Sequence, residues 1–136
     1  MIKQINHVAI LVEDLEGSLT FWRDALGLPV EKTEHNTGEN VKIAFLPVGG
    51  SEIELLEPIE TESALGKYLA KRGQGMHHIC VEVDDLDATI ARLVQHGTQM
   101  INDTPKSNHA GVRYAFVHPR SASGVLVELY ELPAAN

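Results

Sequence analysis

The chain has 136 residues, 43% hydrophobic and 22% charged, a globular balance at a length that fits one domain and leaves two independent cores marginal. Its formal net charge is −8, so no basic stripe is available to release counterions, which argues against a nucleic-acid partner while leaving anionic small molecules open. One cysteine, Cys80, allows no intrachain disulfide and suits a reducing cytoplasm.

The apolar stretch near the start, INHVAILVEDL, is broken by Glu13 and Asp14 and is too short for a signal peptide or a membrane span, so a soluble cytoplasmic protein is expected. His7 to Val12 is β-branched-rich and reads as a buried strand. Residues 15–26 follow with Leu15, Leu19, Trp22 and Leu26 at helical spacing, Asp14 as cap and Gly27 as stop, and Trp22 and Phe21 are expected in the helix core. Strands are expected near 29–34, 41–48 and 52–57. A linker, 60–75, carries a short helix at 63–71 and a glycine-rich exit.

The sequence then repeats itself. INHVAILVEDLEGSL (5–19) overlies MHHICVEVDDLDATI (76–90), so that His7 falls on His78, Val12 on Val83, Asp14 on Asp85 and Leu15 on Leu86, an offset of 71 residues. The same offset places Ala44 on Ala115 and Phe45 on Phe116. The closing segments EIELLE (52–57) and LVELYE (126–131) match at an offset of 74, the turn SASG (121–124) accounting for three extra residues. The second copy therefore predicts a helix with Asp85 as cap, Leu86, Ile90, Leu93 and Val94 as its apolar face and Gly97 as its stop. Strands are expected near 99–102, 112–118 and 125–131. The architecture expected is α+β: two tandem βαβββ modules, about 1–59 and 76–136, forming one domain with a curved mixed sheet around a metal-containing cleft.

His7 and His78 occupy the same point of the first strand of each copy, and Glu54 and Glu128 the same point of the last. Both glutamates lie between large apolar residues, where an uncompensated carboxylate is expensive. Singly, a strand histidine is more often a core residue and a strand glutamate a solvated one. Paired under a repeat found independently, the four read as ligands of one divalent ion whose charge two carboxylates neutralise. In an octahedral site they leave two positions open, which marks catalysis, and they suit Co²⁺, Ni²⁺, Mn²⁺, Fe²⁺ or Zn²⁺. Glu57 and Glu131 also coincide in the repeat, but odd spacing puts Glu57 on the opposite face from Glu54, where solvent is expected. Glu52 shares the face of Glu54 and has no acidic counterpart.

With these residues in view, NHVAILVEDL, FWRDALGL, VKIAFLPVGGSEIELLEP, KYLAKRGQGMHHICVEVDD and FVHPRSASGVLVELYE resemble the vicinal-oxygen-chelate (glyoxalase-like) superfamily, and within it the methylmalonyl-CoA epimerases. The resemblance covers nearly the whole chain. It implies metal ligation by His7, Glu54, His78 and Glu128, with Co²⁺ foremost and Zn²⁺, Ni²⁺ or Mn²⁺ as substitutes, and an acyl-CoA substrate; apart from the resemblance, short modules with exposed sheet edges make a homodimer the expected assembly. Epimerisation between a carboxylate and a thioester needs two acid/base groups facing each other across the α-carbon. The resemblance makes Glu128 one of them. For the other, the position where the family commonly carries Glu is Gly38 here, with Glu39 adjacent; Glu39 is the expected second base, ahead of His35 and His109. Lys106, Arg113 and Arg120 are the cations available to a coenzyme A phosphate. The alternatives are a glyoxalase I-type lactoylglutathione lyase with the same ligands and a non-catalytic ligand-sequestering protein. An extradiol dioxygenase, with its two-His-one-carboxylate face, is disfavoured by the fourth ligand, Glu54.

Overall fold

The computed structural model describes residues 1–134. The chain runs β1 (Ile2–Leu11), α1 (Leu15–Leu19) continued by a π-helical turn (Thr20–Ala25), β2 (Lys32–Asn36), β3 (Val41–Val48), β4 (Ser51–Pro58), α2 (Ala64–Arg72), β5 (Gly75–Val83), α3 (Leu86–Gln95), β6 (Lys106–Ser107), β7 (Arg113–Val117), a 3-10 turn (Pro119–Ser121) and β8 (Val127–Glu131). It is an α+β fold with mixed strand pairing. Two compact units are present: a first, His7–His77, and a second, Met1–Asn6 with His78–Asn136.

In the first unit the strand order is β2-β3-β4-β1, the first two pairings antiparallel and β4–β1 parallel. One sheet face carries Val12, Ala44, Leu46 and Leu55 and packs against Leu15 and Leu19 of α1, with Trp22 beside them. The other carries Ala9, Leu11, Val41, Ile43 and Leu56 and packs against Leu65, Tyr68 and Leu69 of α2. The second unit repeats the order as β6-β7-β8-β5, with β8–β5 parallel. Its helix-side face brings Val83, Ala115, Val117 and Leu129 onto Leu86 and Ile90 of α3.

Several boundaries depart from expectation for local reasons. β1 begins at Ile2, not His7. The first helix widens after Leu19 as the Leu26 N–H reaches the Phe21 carbonyl, five residues back, at 2.8 Å. That wider turn carries Leu26 out of the apolar stripe to 53% exposure, and Phe21 stands 55% exposed rather than in the core. Val94 is likewise exposed, at the end of α3. Gly27 and Gly97 do stop their helices, at φ +93° and +84°. β2 starts at Lys32 because Leu28 and Val30 turn inward to the α1 core. Near 99–102 only Met100 bridges Val117; the Phe116 N–H is taken by Asn102 Oδ1 at 2.8 Å, and β6 forms further on at Lys106.

Glu57 was expected in solvent, and it and its repeat counterpart Glu131 instead each close a helix start. Glu57 Oε1 accepts the Leu15 N–H and Glu131 Oε2 the Leu86 N–H, each at 2.7 Å. The N-terminal N–H groups of a helix have no partner within the helix, and a carboxylate there also meets the favourable end of the helix dipole. Asp85 caps α3 as expected, accepting from the Ala88 N–H at 3.0 Å, whereas the Asp14 side chain makes no such bond. Arg113 steadies Glu131 at 3.0 Å. Glu131→Ala is expected to cost about 1–3 kcal/mol by removing that acceptor, and Glu131→Gln a smaller part of it. Urea unfolding of the two variants checks the order.

Candidate metal centre

The parallel β1–β4 pairing sets Ala9 opposite Glu54, and His7 lies two residues before Ala9, hence on the same sheet face. The result is a short contact: His7 Nδ1 is 3.2 Å from Glu54 Oε2, with His7 2% exposed. In the second unit the parallel β5–β8 pairing sets Cys80 opposite Glu128, and His78 lies two residues before Cys80. His78 Nε2 is 3.2 Å from Glu128 Oε1, and Glu128 is 7% exposed. Each unit thus holds one imidazole–carboxylate pair built by one register rule. Phe45 faces Glu54 and Phe116 faces Glu128 across the neighbouring strand, and the His78 ring meets Phe116 edge-on at 6.0 Å between centroids.

A donor separation of 3.2 Å fits two neighbouring ligands of one ion, since bonds of about 2.1 Å at a right angle place donors about 3.0 Å apart. Within each unit, one imidazole nitrogen and one carboxylate oxygen are donors that suit a borderline divalent ion. Glu52, beside this face of the first unit, has its carboxyl pushed up by burial and then by the negative charge of Glu31, against the opposing pull of His7 and Lys32.

Other expected residues stand elsewhere. Glu39 is exposed in the turn between β2 and β3, its backbone N–H bonded to Asn36 Oδ1 at 3.1 Å. Within the first unit it lies six residues along the chain from Phe45, about 20 Å at strand rise, so that unit does not bring it to Glu54. His35 and His109 are exposed. Arg113 sits on the α3 side of its strand, 2.9 Å from Asp87 Oδ1 and 3.0 Å from Glu131 Oε1. The hydrogen bond it donates to Asp87, then that to Glu131, holds its guanidinium well above the usual range, so Arg113 is engaged in the helix start. Arg120 is exposed in the 3-10 turn, and Lys106 is exposed on β6.

Two residues on the Glu128 face had been read only in part. Cys80, considered above for disulfides alone, is fully buried directly opposite Glu128. Glu82, two residues further on the same face, is 4% exposed and accepts from Asn6 Nδ2 at 3.1 Å and Gln4 Nε2 at 3.4 Å. The period-two alternation His78, Cys80, Glu82 carried that signal.

Residues 6–116 match the family model described as Glyoxalase/Bleomycin resistance protein/Dioxygenase superfamily. The chain is 36% identical over 134 residues to the ethylmalonyl-CoA/methylmalonyl-CoA epimerase of Cereibacter sphaeroides, covering 97% of this chain and 100% of that one. It is 36% identical over 127 residues to the mitochondrial methylmalonyl-CoA epimerase of Mus musculus, covering 93% and 71%. A solved methylmalonyl-CoA epimerase in complex with methylmalonyl-CoA and NH4+ superposes with a TM-score of 0.86 at 36% identity, covering 98% of this chain and 97% of that one. The chain belongs to this superfamily and, within it, to the methylmalonyl-CoA epimerase family.

Proposed function

We propose that the chain is a metal-dependent epimerase interconverting (R)- and (S)-methylmalonyl-CoA by transfer of the α-proton. The repetition of one largely buried His–Glu pair, His7–Glu54 and His78–Glu128, is the observation that carries the reading. The relatives of known name at about 36% identity support the substrate. His7, Glu54, His78 and Glu128, two from each unit of what is proposed to be one domain, would hold one divalent ion. Co²⁺ is the proposed ion, with Zn²⁺, Ni²⁺ or Mn²⁺ as substitutes. When bound, the ion supplies Lewis-acid stabilisation of the negative charge that develops on oxygen as the proton leaves.

The residues of the chain do the rest. His7 and His78 hold their carboxylate partners in one geometry, and their strand positions keep that geometry rigid. Glu128 is assigned the proton on one face of the α-carbon, and burial in an apolar strand keeps water from competing for it. Glu39, next to Gly38, is assigned the proton on the other face. Because epimerisation removes a proton from one side and returns one to the other, solvent deuterium must enter at C2. Methylmalonyl-CoA incubated with the Co²⁺-loaded protein in D₂O is expected to gain deuterium at C2; its absence would reject the epimerase. Full exchange by Glu39→Gln would remove Glu39 from its role. The protein is further proposed to be a cytoplasmic homodimer. Among the described residues no helix is long and apolar enough to cross a membrane.

A further inference from the structure

In each unit the His–Glu pair is made by a parallel pairing, β1 with β4 or β5 with β8. A hairpin turn fixes the register of an antiparallel pair, but the strands of a parallel pair are distant in the chain and no short turn aligns them. A slip of one residue would turn Glu128 to the opposite face from His78. Both units carry the same device for holding these strands in step, on the far face of the sheet. The residue whose N–H opens the helix, Leu15 or Leu86, comes eight positions after the histidine. The acid that accepts from it, Glu57 or Glu131, comes three positions after the paired glutamate. Each acid stands directly opposite a cation on the next strand, Lys42 facing Glu57 and Arg113 facing Glu131. Odd spacing from Glu54 and Glu128 places both acids on the helix side of the sheet, with Leu55 and Leu129.

The hydrogen bond closes a ring. In the second unit the ring runs from His78 along β5 to the first N–H of α3, across to Glu131, and back along β8 to Glu128. Glu131 therefore ties the end of the glutamate strand to the continuation of the histidine strand. The register set by this contact is the one that leaves His78 Nε2 3.2 Å from Glu128 Oε1. Capping alone does not call for an acid on β8, because Asp85 already caps α3 within its own turn, accepting from the Ala88 N–H at 3.0 Å. The two rings are not equally tight. Lys42 Nζ lies 3.8 Å from Glu57 Oε2, whereas Arg113 reaches Glu131 Oε1 at 3.0 Å and Asp87 Oδ1 at 2.9 Å, so that it spans β8 and α3. The tighter ring belongs to the unit whose glutamate is assigned the proton. Resting on the epimerase reading, we infer that Glu131 and Arg113 are positioning residues for the reaction, holding Glu128 at the place from which it moves the proton. Glu57 does the same for Glu54, more loosely, in keeping with a residue assigned to ligation alone.

Glu131→Ala, Arg113→Met and, as the control, Asp85→Ala test the assignment. The measurements are steady-state C2 exchange on the Co²⁺-loaded proteins, thermal melts, and crystal structures of the metal-free forms. Asp85→Ala weakens the same helix start and leaves the tie to β8 in place. Glu131→Ala is expected to lower kcat about ten- to a hundredfold, the scale of a misplaced reacting group, with KM unchanged and the His78–Glu128 separation lengthened. Arg113→Met should give a smaller loss of the same kind, and Arg113→Lys should recover most of it. Asp85→Ala should melt lower, as Glu131→Ala does, with kcat unchanged. Should Glu131→Ala fail to fold, Glu131→Gln takes its place with a smaller loss, since its amide oxygen still accepts the Leu86 N–H but carries no charge for Arg113. Wild-type kcat in the Glu131 variant, or an equal loss in Asp85→Ala, overturns the proposal. Failure of the epimerase reading is separable, because it shows as no C2 exchange in the wild-type protein. The crystal structures then decide: a pair that widens in Glu131→Ala and not in Asp85→Ala upholds the positioning role, and a pair that changes equally in both, or in neither, rejects it.

Discussion

Glu128→Gln is expected to lower kcat for C2 proton exchange by about 10²–10⁴-fold, the contribution of a positioned general acid or base. The change is nearly isosteric, so the fold should survive it. Glu128 lies 7% exposed on β8, paired at 3.2 Å with His78, and opposite Cys80 across the parallel ladder. The amide keeps an oxygen that can face His78 and loses the capacity to take up a proton. The loss should therefore fall on kcat more than on KM, because the change removes an acid/base group and leaves the fold intact. Steady-state kinetics beside thermal melts of both proteins make the check. A variant that melts like the wild type and turns over at an unchanged rate would remove Glu128 from proton transfer.

The second large effect concerns the ion. Dialysis against a chelator is expected to abolish exchange, and stoichiometric Co²⁺ to restore it, with one ion retained per chain after desalting. The physical ground is the cost of leaving His7–Glu54 and His78–Glu128 as two largely desolvated pairs, since carboxylates withdrawn from water demand compensation. A ligand that binds only the folded state also stabilises it, by about 2.7 kcal/mol at a hundredfold excess over Kd, so the melting temperature should rise with Co²⁺. His7→Ala and His78→Ala should each lower metal retention and flatten that rise, despite lying in different units. If the wild-type protein keeps no Co²⁺ after desalting, the four residues are structural pairs. If only one histidine variant loses metal, the ion belongs to one unit rather than being shared.

Much of this was legible in the sequence because duplication writes each functional position twice. The offset of 71 residues that joins His7 to His78, and the offset of 74 that joins Glu54 to Glu128, selected four residues that no single-copy argument would have chosen. Strand periodicity then placed each histidine and glutamate on one face, and the registers Ala9–Glu54 and Cys80–Glu128 agree with that reading. Helix stops at Gly27 and Gly97 were equally readable, since a positive φ is a property of the residue itself.

Other features depend on contacts between segments distant in sequence. Glu57 passed for a solvated acid because its partner, the Leu15 N–H group, lies 42 residues away, and Glu131 likewise meets the Leu86 N–H group across 45 residues. The π-helical turn that exposes Phe21 and Leu26 is a hydrogen-bond choice that apolar spacing does not encode. Arg113 was a phosphate candidate by charge alone, until the β7–β8 register put it on the Asp87 side of the sheet. By itself the sequence determined the repeat, most of the element types and the matched set His7, His78, Glu54 and Glu128, because these rest on local periodicity and on matched residues. Only the tertiary structure decided which backbone group each acid satisfies and which face Arg113 takes, because hydrogen bonding and burial are settled by the strand that comes to lie alongside.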